Sequence, residues 1–378
     1  LDAAGMAGSP SASRLLVLTE AEQSFVFSGV TEAPVPSLLR GFTAPVALQY
    51  AYSEDALLTL LAQDSDAFNR WEAGQQLAQR IALGAINNPA VVVHGNGEIA
   101  QDLLPQPFVE AMRSVLRHPT LDAAYKELVL SLPSESYLSE QLQEVDPQRV
   151  HAVRETLRQQ LAAALQADWA WAWENHQDSG AYRPDPVSSG RRALSGMALA
   201  MLCLDARRTG DSVWPDRAYQ SFKDAANMTD RMAALSALVN SGHPLASDAL
   251  ARFHALFKTE ALVLDKWFAL QAGATDRGGQ ILPAVKQLMK HPDFQLQNPN
   301  RARSVIFSLC SGNPGAFHRL DGAGYLFWSE RVIELDAINP QVAARLARAL
   351  DRWKKLAEPY RTTAREAIAR VAARPDLS

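Results

Sequence analysis

The segment Ser53-Glu-Asp-Ala-Leu-Leu-Thr-Leu-Leu61 separates two kinds of pattern in this chain of 378 residues. Ser53 belongs to the residue types that cap helix N-termini, and the acidic and leucine-rich residues after it have helical spacing. Helical patterns then continue to the C-terminus, separated by Pro, Gly or Asn. Because no fixed-period repeat is present, we predict that residues 53–378 form an irregular α-superhelix or bowl of stacked helix pairs.

The predicted helical segments share apolar residues at positions i, i+3 and i+4. After the first helix they are, in chain order, residues 67–83, 106–117, 121–130, 136–144, 147–175, 189–209, 214–225, 228–241, 244–257, 261–272, 281–290, 301–309, 324–339, 340–356 and 360–373. With this many helices, the fold class is predicted to be mainly α.

Upstream of Ser53, three short segments predict β-strands: Leu15–Thr19, Gln23–Phe27 and Pro45–Tyr50. Three strands are too few for a sandwich or a barrel, so we predict that residues 14–52 are the last strands of a truncated β-sandwich domain. Residues 1–13 are rich in Ala, Gly, Ser and Pro and are predicted to be a flexible N-terminal end. Because Leu1 stands where an initiator Met would, we expect a processed chain or a piece of a longer one.

Composition and charge exclude several classes of function. The chain is 47% hydrophobic, and its 37 Lys+Arg against 41 Asp+Glu give a net charge of −4 without blocks of like charge. That balance disfavours nucleic acid as a partner, and the apolar stretches are too short to cross a membrane. The two cysteines, Cys203 and Cys310, lie in apolar helical patterns. We expect buried thiols in a reducing, cytoplasmic compartment.

Motifs that carry chemistry are missing from the sequence. The eight histidines contain no His-Glu-x-x-His motif and no i, i+4 pair that would place two ligands on one helix face. A Gly-x-Ser-x-Gly elbow and a Walker loop are also absent. We therefore assign no catalytic residue and no metal ligand to this chain.

Polar residues near the C-terminus form the one candidate constellation. Arg301 and Arg303 open a helix at spacing i, i+2 and must diverge, whereas Gln341 and Arg345, at i, i+4 after Asn339-Pro340, share a helix face. Arginines near a helix N-terminus oppose the macrodipole, so an anionic or carbonyl-bearing partner would offset them. On spacing alone, solvated or ion-paired surface residues are the favoured interpretation.

The order of seven motifs along the chain identifies a family. They are Pro34–Val46, Asn227–Asp230, Asp265–Phe268, Asn298–Ser304, Asn313–His318, Asp321–Tyr325 and Asn339–Arg345. In this order they resemble the C-terminal part of bacterial aminopeptidase N, the alanyl aminopeptidases of the M1 family of zinc metallopeptidases. The resemblance extends from about Leu15 to Ala373.

This resemblance implies a fold and a function. The family combines an N-terminal β domain, a thermolysin-like catalytic domain, a small β-sandwich and a C-terminal helical domain, and this chain is similar to the end of the sandwich plus the helical domain. The parent enzyme would use Zn²⁺ to remove N-terminal amino acids from peptides, with peptide substrates and its own catalytic domain as partners, and would be a monomer. The chain alone lacks the zinc helix and is expected to be inactive.

The resemblance also implies a role for three residues. Arg303, Gln341 and Arg345 match residues that line the enclosed active-site cavity on the side of the residues after the scissile bond, which makes them substrate-binding candidates; Arg301 is not carried over. A guanidinium can donate to peptide carbonyls or to a C-terminal carboxylate, and an amide can donate and accept. The alternative is a non-catalytic α-solenoid that binds proteins on the inner face of the helical bowl.

Overall fold

The computed structural model describes residues 13–95, 97–178 and 180–378, and these are mostly helical. The predicted flexible N-terminal end, residues 1–13, lies outside the described residues except for Ser13. The helices of the first half are α1 (Glu54–Gln63), α2 (Ala67–Asn87), α3 (Gln106–Arg117), α4 (Ala123–Leu130), α5 (Glu135–Glu140), α6 (Pro147–Ala164), α7 (Gln166–Asn175) and α8 (Pro186–Thr209).

The helices of the second half begin after Gly210. They are α9 (Val213–Asp224), α10 (Met228–Ser241), α11 (Leu245–Phe257), α12 (Ala261–Ala272), α13 (Ile281–Leu288), α14 (Pro299–Ala302), α15 (Ser308–Cys310), α16 (Pro314–Phe317), α17 (Ala323–Asp336), α18 (Pro340–Ala347) and α19 (Tyr360–Ala372). A π-helical turn, Arg303–Phe307, joins α14 to α15, and 3₁₀ turns cover Arg40–Phe42, Arg348–Leu350 and Trp353–Lys355.

Helix starts follow the capping residues that the sequence offers. The Ser53 hydroxyl accepts a hydrogen bond from the Ala56 backbone N–H at 3.2 Å, which begins α1 where the pattern changes. The Asp146 side chain likewise caps α6, whose first residue is Pro147. These bonds satisfy N–H groups that have no partner inside the helix, so local sequence is enough to begin these two helices.

The centre of the helical body is α8, which contacts α4, α6, α7, α9 and α10. Leu194 and Leu202 on α8 are fully buried. Gly190 lets α4 approach closely, because a Cβ at this position would lie 2.7 Å from the Ala124 backbone nitrogen. Neighbouring helices therefore pack side by side, and the predicted mainly α class with stacked helix pairs is confirmed.

The predicted strands are not observed in the described residues 13–52. Within the described part of this segment no strand forms at Leu15–Thr19, Gln23–Phe27 or Pro45–Tyr50. The apolar side chains face solvent, with Leu15 72% and Val26 71% exposed. Alternating apolar residues make a strand only when a second strand supplies ladder hydrogen bonds and a covering layer. The described neighbours of this segment supply neither.

Two predicted helices are wrong in their extent. The segment predicted as one helix over residues 147–175 is divided into α6 and α7 at Leu165, whose φ of −111° and ψ of 21° leave the helical region. The segment predicted over residues 340–356 is α18 followed by two 3₁₀ turns. Apolar periodicity continues across a one-residue break, so it does not reveal the break. Among the described helices, none is both long and apolar enough to cross a bilayer.

Candidate functional site

Helix α18 presents two of the three predicted substrate-binding residues. The Asn339 side chain accepts a hydrogen bond from the Val342 backbone N–H at 3.2 Å, and Pro340 occupies the first helical position. This cap fixes the start of the helix, and Val342 on its inner face is buried. Gln341 and Arg345 are exposed on the opposite side, one helical turn apart.

Arg345 lines a cavity with a volume of about 580 Å³. Its walls come from α5, the start of α6, the α14–α16 region and the segment after α18. The charged and aromatic lining residues are Glu135, Glu140, Phe307, His318, Arg345, Arg348, Asp351, Arg352, Trp353 and Lys355. The cavity therefore has a basic wall near the C-terminus and an acidic wall on α5.

Most cations of the basic wall are already paired. Arg352 forms an ion pair with Glu140 at 2.6 Å, and Arg348 forms one with Asp351 at 3.2 Å. Over the described ranges, neither Gln341 nor Arg345 forms a side-chain hydrogen bond or ion pair. Their donors are thus available to a ligand, and a guanidinium suits a carboxylate or a row of peptide carbonyls.

Arg303 begins the π-helical turn, a geometry that is found at functional sites more often than chance. Its Nη1 donates weakly to the Asn300 side chain at 3.3 Å, and its Nε is buried with no hydrogen-bond partner among the described residues. Phe307, at the end of this turn, lines the cavity, but Arg303 and Gln341 do not. The structure thus places Arg345 in the cavity lining and Arg303 and Gln341 outside it.

Arg301 diverges from Arg303, as the i, i+2 spacing predicts. It is 5% exposed and its Nε donates to Asp265 at 2.6 Å, while its Nη1 donates to the Asp293 carbonyl. This guanidinium also stacks on Phe268 at 4.9 Å. Arg301 is therefore a structural residue that ties α12 to α14.

Sequence reasoning missed the polar network beneath the cavity. His151 on α6 donates from Nδ1 to Glu135 at 2.8 Å, and Gly315 packs so tightly on this imidazole that a Cβ would lie 2.7 Å from it. The Gln148 amide donates to the carbonyls of Gly315 and His318 at 2.8 and 2.6 Å. In the sequence, only the turn-rich motif Asn313–His318 pointed to this region. The residues that contact this motif lie far away in the chain, so their spacing could not reveal the network.

Burial and hydrogen bonding act on the protonation of the two histidines of this network. Burial by itself lowers the pKa of His151, but the hydrogen bond and charge of Glu135 outweigh it and the pKa is raised. Burial lowers the pKa of His318 to about 4, and its neutral ring bonds the Tyr325 hydroxyl at 2.7 Å. At neutral pH, His318 therefore adds no positive charge to the cavity.

Both cysteines are buried and free, as expected. Burial raises the pKa of Cys203 to about 12 and raises that of Cys310 as well. Cys310 lines the cavity but is only 4% exposed. A thiol that stays protonated is a poor nucleophile, so neither cysteine is positioned for catalysis.

One cluster of donors in the described residues has a composition that metal ions bind. His254, His291 and Asp293 bring two imidazole nitrogens and a carboxylate oxygen within 4.8 Å of one another. Helical spacing could not indicate this cluster, since 37 positions separate the two histidines along the sequence.

The helical body matches a known protein family. Residues 54–378 match a model described as a domain of unknown function, DUF3458_C, with ARM repeats. The chain belongs to the DUF3458_C family. Residues 1–51 match a second model, described as DUF3458 with an Ig-like fold. ARM repeats are stacked helix pairs, which is the architecture that the DUF3458_C body shows.

Three curated relatives carry the name aminopeptidase N. Those of Caulobacter vibrioides, Escherichia coli and Haemophilus influenzae are 34%, 37% and 34% identical over 96%, 90% and 97% of this chain. The chain covers 40%, 38% and 40% of their lengths, about two fifths in each case. These similarities confirm the resemblance to the aminopeptidase N family.

A solved structure shows the same arrangement. Legionella pneumophila aminopeptidase A, crystallised with aspartic acid, superposes with a TM-score of 0.75 at 27% identity, over 92% of this chain and 40% of that one. Both the sequence and the structure relatives are thus aminopeptidases. A free-standing non-catalytic solenoid, the alternative interpretation of the sequence, is not favoured by them.

Proposed function

We propose that this DUF3458_C chain is the C-terminal part of a zinc-dependent aminopeptidase of the M1 family, which removes N-terminal amino acids from peptides. The similarity to aminopeptidase N over nearly the whole chain supports this proposal, as does the chain's coverage of two fifths of those relatives. Its domains would be a flexible end at residues 1–13, the end of a β-sandwich at 14–52 and the helical domain at 53–378.

In the parent enzyme, the helical domain would enclose the active-site cavity and contact the substrate after the scissile bond. The observation that carries this role is Arg345, which lines the 580 Å³ cavity one turn from Gln341; neither side chain has a partner among the described residues. A guanidinium at this position can donate two bonds to the C-terminal carboxylate of a short peptide. Arg303 would contribute to peptide binding from the start of the π-helical turn.

Zinc, when bound, activates the attacking water in metalloproteases. The residues of this chain do not provide that site, because the sequence has no His-Glu-x-x-His helix. The chain's own residues would therefore bind and orient peptides. We expect the purified chain to leave alanine p-nitroanilide intact in the presence of Zn²⁺, and metal-dependent turnover would contradict the assignment.

Substitution of Arg345 in the intact enzyme tests the binding role. Arg345→Ala should lower kcat/KM for an alanyl dipeptide or tripeptide by about tenfold, the worth of one hydrogen bond to a charged group. Alanine p-nitroanilide, which has no second residue or carboxylate, should be hydrolysed almost normally. Arg345→Lys should recover part of the loss because it keeps the charge.

The matched control is Arg365→Ala, which removes an exposed arginine from α19, outside the cavity lining. It should leave both substrates unaffected. Equal losses on the peptide and the anilide in Arg345→Ala would show instead that Arg345 acts on folding and not on peptide binding.

We also propose a cytoplasmic monomer that binds neither nucleic acid nor membranes. The net charge of −4 and two buried, unpaired thiols support this. Light scattering of the intact enzyme at several concentrations tests the monomer, and a mass that rises to twice the monomer value would contradict it.

A further inference from the structure

Two histidines and one aspartate converge on the side of the helical body formed by α11 and the connection between α13 and α14. His254 lies near the end of α11, and its Nε2 is 2.6 Å from an Asp293 carboxylate oxygen. The same oxygen is 3.7 Å from Nδ1 of His291. All three side chains are partly exposed, at 24%, 28% and 36% for His254, His291 and Asp293, so an ion in solution can reach them.

The rings are held in place by aromatic packing. Trp267 contacts the imidazoles of His254 and His291 at centroid distances of 5.1 and 5.3 Å, and Phe268 contacts His291 at 5.7 Å. The Trp267 indole N–H donates to the Leu250 carbonyl at 2.9 Å, which fixes its own orientation. Ligands that are already oriented lose little freedom when an ion binds.

The charge at the cluster is compatible with a cation. The Arg301 guanidinium acts on the Asp293 carboxylate through its charge, but it pairs with Asp265 and donates its hydrogen bond at Asp293 to the backbone carbonyl. The Asp293 carboxylate is thereby left to the two histidines. Two imidazoles and one carboxylate are the donor set of several transition-metal sites, in which water completes the coordination.

We propose that His254, His291 and Asp293 bind one divalent transition-metal ion of the zinc(II), cobalt(II) or nickel(II) class, which clamps α11 to the α13–α14 connection. At the 2.6 Å separation, His254 Nε2 carries the proton that it shares with Asp293. The ion replaces this proton, which leaves for solvent or moves to Nδ1. His291 exchanges its hydrogen bond from the Asp293 N–H, 3.1 Å long, for a bond to the metal.

Calorimetric titration of the metal-free chain with Zn²⁺ tests the site. We expect one equivalent to bind and the melting temperature to rise with free Zn²⁺, because the ion bridges two elements of the folded state. Co²⁺ should bind at the same site and give visible absorption bands of a four- or five-coordinate ion. Failure of the metal-free chain to bind either ion would overturn the proposal.

Single substitutions assign the ligands. Asp293→Asn, His254→Gln and His291→Gln should each weaken Zn²⁺ binding at least tenfold. Asp293→Asn keeps the shape of the side chain and an oxygen that accepts from His254, so it reports on the metal even if a histidine variant folds poorly. Circular dichroism verifies that each variant is folded.

His243→Gln is the matched control. His243 accepts a hydrogen bond at Nδ1 from the Leu245 N–H, two residues on, in the same local turn that His291 forms with Asp293. It is absent from the cluster of metal donors. His243→Gln should bind Zn²⁺ like the unaltered chain, and unchanged affinity in the three ligand variants would disprove the site.

Discussion

Residues 13–52 and the helical body differ in how their apolar side chains are used. The helical body buries them, as Leu161 and Trp169 at 0% exposure illustrate, whereas Leu18 in the N-terminal segment is 72% exposed. Both regions have the apolar periodicity of regular structure. A helix forms its backbone hydrogen bonds within one segment, while a strand needs a neighbouring strand to form them. The helical segments could therefore fold without a partner, and the strand-like segments could not.

Matched leucine substitutions in the two regions should show the largest difference. Leu161→Ala removes a fully buried side chain from α6 and should lower the free energy of unfolding by about 3 kcal/mol. Leu18→Ala should change it by less than about 0.5 kcal/mol, because that side chain is 72% exposed. Urea unfolding measures both, and similar losses would mean that residues 13–52 have a core of their own.

The contact between the two regions is the next largest effect. Asp64, after α1, accepts hydrogen bonds from Ser37 and Arg40, both at 2.6 Å. Asp64→Asn leaves Arg40 without its charge partner. It should lower the free energy of unfolding by about 2 kcal/mol, since the Asp64 side chain is only 2% exposed. Residues 36–42 should then be cleaved faster in limited proteolysis.

Asp55→Asn, on the exposed side of α1, is the control and should change neither stability nor cleavage by much. Burial acts to raise the pKa of Asp64, but the hydrogen bonds from Ser37, the Asp66 backbone and Arg40 outweigh it, so this pKa is lowered. The contact is therefore present above pH 4 or so and is lost as the pH falls through the lowered value. Unchanged cleavage in Asp64→Asn would argue against this attachment.

Within the helical body, the Glu135–His151 pair should have the opposite pH dependence. The pKa of His151 is raised above its usual 6.5, so the pair stabilises the fold below that pH and loses its effect as the pH rises through the raised value. Glu135→Gln should lower the free energy of unfolding by about 1 kcal/mol more at pH 5.5 than at pH 8.5. Denaturant titrations at the two pH values measure this difference.

His151→Gln provides the control background for that pair. With the imidazole absent, Glu135→Gln should lower the free energy of unfolding by the same amount at both pH values, because no histidine titrates beside residue 135. If the pH difference persists in this background, another group is responsible.

Local sequence predicted most of the helical body. Ser53, Asp146 and Asn339 cap helices where the pattern placed helix starts, because a cap needs only residues within the next turn. Apolar spacing predicted where most of the helices lie, and the order of family motifs predicted the aminopeptidase relatives. Leu165, where one predicted helix becomes two, shows the limit of periodicity.

The candidate site was only partly predictable. Gln341 and Arg345 share a face because of their spacing, and Arg301 diverges from Arg303 for the same reason. The acidic wall opposite Arg345 comes from α5, about two hundred residues earlier in the chain. No local pattern encodes that approach, so the roles of Arg303, Gln341 and Arg345 in binding remain predictions.

The sequence by itself determined most of the helical segments, several helix starts and the family, since each depends on neighbouring residues or on motif order. Only the tertiary structure decided which distant side chains meet. It joined His254 to His291 and Asp293, it placed the ring of His151 against Gly315, and it formed no strand from the strand-like segments among the described residues before Ser53. Contacts between helices depend on the packing of complementary surfaces, and that complementarity is a property of the whole fold.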